Sequence, residues 1–225
     1  MYKHDVLIIG GGLAGLRAAV EVTRAGGDVA VISKVHPVRS HSNAAQGGIN
    51  APLTDRGDDW EGHAYDTIKG SDFLADKDDV EVMSVEAGDA VLALERMGGI
   101  FSRGDDGKLG TRRFGGQKIA RPFFVGAITG SAILHVLFEQ ALKLGLNVYE
   151  EWFVTKLIIE DGRCRGVVAI DLKTGEIHTI KAKAVIRSEE HTSELQSLVN
   201  VVCRLLLENN NHTPPPPPPP ISSYP

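Results

Sequence analysis

The chain opens with an apolar segment that runs directly into three closely spaced glycines. Residues 5–9 read DVLII, and Gly10, Gly12 and Gly15 follow at once. A short, wholly apolar run is typical of a strand buried in a parallel sheet. In the pattern Gly-x-Gly-x-x-Gly, the first glycine makes a tight turn, the second lets the backbone approach a pyrophosphate, and the third allows close packing of a helix on the strand. The segment therefore predicts a strand, a phosphate-binding turn and a helix.

The next residues complete a strand, helix and strand unit. The helix carries apolar residues at helical spacing and should stop at Gly26 and Gly27, and residues 29–32 form a second β-branched strand. The amide N–H groups at the helix N-terminus would face the phosphates and stabilise them without a basic side chain. We predict that the following residues form this end of a dinucleotide site: Gly10, Gly11, Gly12, Leu13, Ala14, Gly15, Ser33 and Lys34.

The end of the second predicted strand argues against a simple NAD domain. An acidic residue usually contacts the adenosine ribose at this position. This chain has Ser33 and Lys34 there instead. The ribose is therefore expected to be held by Ser33 or by backbone groups.

The middle of the chain is predicted to be helical and its later part to form strands. The pattern predicts a helix capped by Asp58 or Asp59 that runs to Ile68, one capped by Asp78 or Asp79 from Val80 to Met97, and one capped by Thr129 from Ser131 to Leu144. Residues 152–160, 164–171 and 176–186 are strand-like and are joined by good turn sequences. We predict an α/β, Rossmann-like domain over residues 1–186, with a parallel sheet, a helical insertion and a β-meander.

The composition changes sharply near Ile186. All 25 glycines lie at or before Gly175, whereas eight of the 11 prolines lie between Pro214 and Pro225. Residues 187–197 read RSEEHTSELQS. A DNA sequence that encodes this segment resembles a short-read sequencing adapter. We interpret residues 187–225 as a non-homologous tail, disordered or artefactual. The alternative is an amphipathic helix, because apolar residues of the tail fall at helical spacing: Leu195, Leu198, Val199, Val202, Leu205 and Leu206.

Charge and cysteine content exclude several classes of function. The net charge is -5 and no block of Lys or Arg occurs, so we expect no binding to nucleic acid and no direct binding to an anionic membrane. Cys164 and Cys203 lack the spacing of metal ligands, so no metal site is expected and the compartment should be reducing. With no apolar run of about 20 residues and no signal-peptide pattern, a cytoplasmic location is expected.

A second motif carries a family resemblance. Residues 39–50 read RSHSNAAQGGIN, and the chain also contains GGGLAGLRAA, SKVHPVRSHS, the long run from 58 to 83, FGGQ at 114–117 and a helix ending in ILH. Spread over residues 4–186, these segments resemble the flavoprotein subunit of succinate dehydrogenase and fumarate reductase. The resemblance implies an FAD-dependent oxidoreductase that interconverts succinate and fumarate.

The resemblance also implies how the cofactor is held and what lies elsewhere. His41 would carry FAD covalently, and the residues under the flavin ring would be Arg39, Ser40, His41, Ser42, Ala45, Gln46, Gly47 and Gly48, with Phe153 and Val154 completing the cofactor-binding residues. The catalytic arginine and the substrate-binding histidines would belong to a capping domain beyond residue 186, so we expect no catalytic residue in this chain, which is truncated before that domain. An iron-sulfur subunit would take the electrons and provide an indirect association with the inner face of the membrane.

Several residues depart from the family pattern or leave alternatives open. Asn43 replaces a small or apolar residue, and GAITGS at 126–131 replaces ADRTGH. We interpret His135 as a packed core residue, and the arginines near FGGQ either steer a dicarboxylate or form a solvated basic face: Arg112, Arg113 and Arg121.

Alternative functions also remain open at the level of sequence. Gln46 favours succinate oxidation slightly, because fumarate reductases more often carry Glu there. The alternatives are a catalytically incomplete flavin-binding fragment, an L-aspartate oxidase-like flavoenzyme and, more distantly, an NAD(P)-binding domain.

Overall fold

A computed structural model describes residues 1–113 and 119–188 of the chain. Its α-helices are α1 Leu13–Arg24, α2 Trp60–Gly70, α3 Lys77–Arg96 and α4 Thr129–Lys143. Its strands are β1 Tyr2–Ile9, β2 Val29–Ser33, β3 Ile49–Asn50, β4 Pro122–Phe123, β5 Asn147–Glu150, β6 Trp152–Glu160, β7 Arg163–Asp171 and β8 Ile177–Arg187. Short 3₁₀ helices lie at Pro37–Arg39, His41–Ala44 and Thr54–Arg56.

A six-stranded sheet organises the molecule, with the strand order β5-β2-β1-β8-β7-β6. The strands from β5 to β8 in this order are parallel, while β7 runs antiparallel to both β8 and β6. The sheet is therefore mixed, because the β-meander joins the parallel part through its last strand. The predicted α/β class, with its parallel strands, helical insertion and meander, is confirmed.

The strands that meet α1 are buried because their sequences are apolar on both faces. Leu7 and Ile8 have no exposed surface, and β2 is buried along its whole length. Helix α1 turns Leu16, Ala19 and Val20 towards the interior, and all three are fully buried. This packing fixes the turn between β1 and α1 at the carboxyl end of the parallel strands, where ligands bind in such sheets.

Two predicted helix caps are wrong in detail. Helix α3 begins at Lys77, and Asp76 caps it by accepting hydrogen bonds from the Asp78 and Asp79 amides. Asp76 takes this role because its extended backbone places its carboxylate over the first turn. Thr129 lies inside α4, and its hydroxyl accepts a hydrogen bond from Val125 N at 3.1 Å instead of capping the helix.

The end of the described chain lies beyond the predicted boundary. Strand β8 continues to Arg187, and the Ser188 N–H donates to Ile9 O at 2.9 Å. The predicted boundary at Ile186 therefore falls inside this sheet. The remaining predicted tail, residues 189–225, and the FGGQ segment lie outside the described residues.

Candidate cofactor-binding site

A cavity of about 380 Å³ opens where β1 ends and α1 begins. Its walls come from the glycine turn, the end of β2, the 3₁₀ helix at His41–Ala44 and the start of β6. The predicted residues that line it are Gly10, Gly11, Gly12, Leu13, Ala14, Ser33, Lys34, Ser40, His41, Ser42, Phe153 and Val154. Two motifs about thirty residues apart in sequence thus face one space.

Six of the predicted cofactor-binding residues do not line the cavity. They are Gly15, Arg39, Ala45, Gln46, Gly47 and Gly48. The structure adds lining residues that the sequence did not indicate, namely Ile9, Ile32, Val35, Trp152 and Ser188. Trp152 could have been found beside Phe153, but Ser188 has no local signal because only the pairing of β8 with β1 brings it to the cavity.

The N-terminus of α1 faces this cavity, and its N-cap residue offers no side chain. Gly12 is that N-cap residue, and no acidic residue stands in the first turn. A weak contact of 3.4 Å joins the Leu13 N–H to Ser42 Oγ. The first-turn amides and the positive end of the helix dipole therefore favour an anionic ligand such as a phosphate.

The glycines of the turn have different physical roles. A Cβ on Gly15 would lie 1.9 Å from Gly10 O, so Gly15 is needed where α1 packs on the turn. A Cβ on Gly12 would meet only two hydroxyl oxygens, Ser42 Oγ at 3.2 Å and Ser40 Oγ at 3.8 Å. Gly12 therefore leaves space next to the cavity, whereas Gly15 allows the helix to approach the strand.

The segment after Arg39 forms a second wall of the cavity. The 3₁₀ helix at His41–Ala44 is closed by an Asn43 N–H to Ser40 O bond of 2.9 Å. The Ser40 hydroxyl is buried and has no hydrogen-bond partner among the residues that the structure describes. A buried hydroxyl at a cavity wall is a group that a bound polar ligand would satisfy.

Arg112 holds the end of this wall through backbone carbonyls. Its guanidinium donates to Gln46 O at 2.6 Å and to Gly47 O at 2.6 Å, and it lies over the Phe124 ring. The sequence predicted that Arg112 either steers a dicarboxylate or forms part of a solvated basic face. These contacts with backbone carbonyls fit neither role. The side chain fixes the Gln46–Gly47 backbone instead.

Arg121 was also misinterpreted from sequence. Only 2% of its surface is exposed, and it donates to the two Asp58 carboxylate oxygens at 2.7 and 2.8 Å and also to Asp66. The hydrogen bonds that Arg121 donates to Asp58 raise the pKa of Arg121, and burial lowers the pKa of nearby His63. Arg121 immediately precedes β4 and therefore links β4 to Asp66 in α2 and to Asp58 just before that helix. It is not part of a basic surface.

His135 is exposed, so its interpretation as a core residue is wrong. Its neighbours Ile133, Leu134, Val136 and Leu137 are buried. At about 100° per residue, position 135 points away from the mean direction of these four residues. The helical direction of the apolar residues therefore predicts an exposed His135, whereas the number of its apolar neighbours in sequence does not.

The residues of the cavity fit a dinucleotide with a flavin. The uncapped helix suits the pyrophosphate, the space beside Gly12 admits it, and the unpaired Ser40 hydroxyl offers a donor near His41. Within residues 1–113 and 119–188, no group of three or more His, Cys, Asp or Glu side chains could hold a metal ion. In the same ranges, no helix has the length and apolar character needed to cross a membrane.

Comparison with known families agrees with this chemistry. The FAD binding domain family matches residues 5–216, so the chain belongs to that family. The family match supports FAD as the cofactor of this chain.

Similar proteins narrow the relationship further. The chain is 46% identical over 194 residues to the succinate dehydrogenase flavoprotein subunit of Rickettsia conorii, covering 82% of this chain and 33% of that protein. It is 45% identical over 187 residues to the fumarate reductase flavoprotein subunit of Mycobacterium tuberculosis, with 82% and 32% covered. A solved structure of an E. coli quinol fumarate reductase variant has a TM-score of 0.80 at 38% identity, with 83% and 32% covered. The chain spans about a third of the length of these relatives.

Proposed function

We propose that this chain is the FAD-binding part of an oxidoreductase subunit that interconverts succinate and fumarate. The observation that carries the proposal is the meeting of the glycine turn and the His41 segment in one cavity. The names of the relatives supply the substrate pair, since succinate dehydrogenases and fumarate reductases both match most of this chain.

Each wall of the cavity has a distinct part in this proposal. The backbone of residues 10–14 would hold the pyrophosphate, and Ser33 with Lys34 would face the adenosine. Lys34 Nζ lies over the Phe153 ring, 5.6 Å from its centroid, and both residues line the cavity. When bound, FAD accepts two electrons from a substrate, and the chain's own residues bind it, orient it and exclude water.

His41 is proposed to hold FAD covalently. It lines the cavity next to the buried Ser40 hydroxyl and Ser42. His41 would hold the flavin through a bond from an imidazole nitrogen to the 8α carbon. Forming that bond would break the imidazole N–H bond and one 8α C–H bond, release two protons and leave two electrons on the flavin ring, which acts as the oxidant. Such a bond also withdraws electron density from the ring, which favours oxidation of an unactivated C–C bond.

The histidine proposal predicts the fate of flavin in denatured protein. We expect flavin to stay with the acid-precipitated wild-type chain after incubation with FAD and to be released from the His41→Ala variant. His36→Ala is the control, because His36 contacts Glu150 and Phe138 and does not line the cavity. Flavin that remains in the pellet of His41→Ala would show that the bond belongs elsewhere.

Substrate turnover is expected to need residues outside this chain. The described residues that line the cavity include no arginine, and Arg112 and Arg121 are engaged in other contacts. We therefore expect the chain loaded with FAD to bind the cofactor without reducing a dye in the presence of succinate. Measurable succinate:dye reductase activity would show that the chain holds a complete substrate site.

The same proposal includes the partners and the location. Electrons would pass to an iron-sulfur subunit, as the resemblance to the flavoprotein subunits of succinate dehydrogenase and fumarate reductase implies. Association with the inner face of the membrane would then be indirect, through partner subunits. The names of solved relatives include a quinol-fumarate reductase with menaquinol molecules, which is consistent with electron exchange at a membrane.

A further inference from the structure

The segment that follows His41 is enclosed between two helix N-termini. On one side, Ser42 Oγ accepts the weak bond from Leu13 N–H at the start of α1, and a Cβ on Gly12 would lie 3.2 Å from the same oxygen. On the other side, Gly130 in the first turn of α4 donates its N–H to Ala45 O at 2.8 Å. Ser42 thus lies between the phosphate-binding turn and α4.

Gly130 has no room for any side chain. A Cβ built on it would lie 2.1 Å from Ser42 O and 2.8 Å from both Ala45 Cβ and Ala45 O. Two of these three atoms belong to the backbone, so rotation of a side chain cannot relieve the contact.

The need for glycine at this position is steric. Gly130 is not among the residues with positive φ, and it lies within a regular helix that a larger residue would also adopt. Glycine is also a weaker helix former than alanine, so helix propensity does not explain its presence here. The close approach of the His41 segment is what this glycine permits.

Helix α4 cannot easily move away to make room. Thr129 is buried and its hydroxyl is bonded to Val125 N, while Ile133 and Leu134 in the next turn belong to the apolar core. A side chain at position 130 would therefore displace the His41 segment towards Gly12 and the cavity, and not the helix away from it.

We propose that Gly130 is a positioning residue for covalent attachment of FAD. By lacking a side chain, it lets Ser42 and Ala45 rest on α4, and this contact sets the position of His41 at the cavity wall. The inference rests on the proposed role of His41 and adds a residue that does not line the cavity. Its effect acts through Ser42 and Ala45 and not through contact with the cofactor.

The test compares Gly130→Ala with Gly70→Ala in the full 225-residue chain. Gly70 is also a helical glycine, but a Cβ there would have no atom within 4 Å. We expect Gly130→Ala to slow covalent attachment about 10- to 100-fold, as a displacement near 1 Å can do, with a smaller effect on reversible FAD affinity. Gly70→Ala should match the wild type in both. Unchanged attachment in Gly130→Ala would overturn the proposal.

A second measurement separates this inference from the histidine proposal. Amide exchange in residues 41–46 should rise in Gly130→Ala without FAD, and the added change Ala45→Gly, which removes one of the close contacts, should partly reverse it. If the wild type forms no covalent flavin, the proposed bond to His41 is wrong. In that case, faster amide exchange together with weaker FAD binding in Gly130→Ala would still support the inference that Gly130 positions the His41 segment. Unchanged exchange, or global unfolding that Ala45→Gly does not relieve, would overturn it.

Discussion

Replacement of Gly15 by alanine is expected to lower the free energy of unfolding by about 3 kcal/mol or more, because overpacking at a rigid contact has no low-energy solution. The added Cβ would lie 1.9 Å from Gly10 O and 2.7 Å from Ser188 Oγ. The first atom is backbone at the end of β1, so α1 must move away from the strand or the turn must open. Either change alters the cavity, and FAD binding should weaken together with stability.

Urea denaturation followed by circular dichroism measures the effect, with Gly70→Ala as the matched control. Gly70→Ala should remain within about 1 kcal/mol of the wild type, since alanine is the better helix former and meets no neighbour. If Gly15→Ala is as stable as Gly70→Ala, the close packing of α1 on the glycine turn is not as described.

The second large effect is expected at Arg121. Arg121→Met keeps much of the side-chain volume but leaves the Asp58 carboxylate, with 3% of its side chain exposed, without its partner. Removing one member of a buried ion pair costs about 3–5 kcal/mol, because the remaining charge stays in a poorly solvated place. Thermal and urea unfolding should both show the loss, and combining Arg121→Met with Asp58→Leu should recover part of it.

An exposed ion pair provides the control. Lys108 and Asp55 are 3.5 Å apart, with 58% and 57% of their side chains exposed. Lys108→Met should change stability by less than about 1 kcal/mol, as is usual for solvated pairs. Equal effects of Arg121→Met and Lys108→Met would contradict the structural role of the Arg121 cluster.

The sequence predicted well those elements whose formation depends on residues close together in the chain. Strand β1, helix α1 and strand β2 follow from apolar runs and glycines within about thirty residues, and the structure has them close to the predicted bounds. The β-meander was predicted because its strands are joined by turn sequences. Strand β5 was missed, since four residues carry little periodicity and its place depends on pairing with β2.

The errors arise where distant residues decide the outcome. Arg121 is paired with Asp58, which lies 63 residues earlier, so no local pattern could indicate its burial. Ser188 reaches the cavity only because β8 pairs with β1. The cap of α3 depends on which aspartate has extended backbone, and neighbouring carboxylates compete for that position. The assignment of His41, Arg39 and Gln46 to a covalent flavin site remains a prediction.

The most direct test is an equilibrium titration of the wild-type chain and of Gly12→Val with FAD. Binding is monitored by the quenching of flavin fluorescence. Gly12 has ordinary extended backbone, and a side chain there meets only hydroxyl groups, so the variant should fold normally. Its branched side chain would occupy the space that the pyrophosphate needs. The account predicts saturable binding to the wild type and affinity at least about tenfold lower for folded Gly12→Val, equivalent to about 1.4 kcal/mol. Equal affinity of the two proteins, or no saturable binding to the wild type, would contradict it.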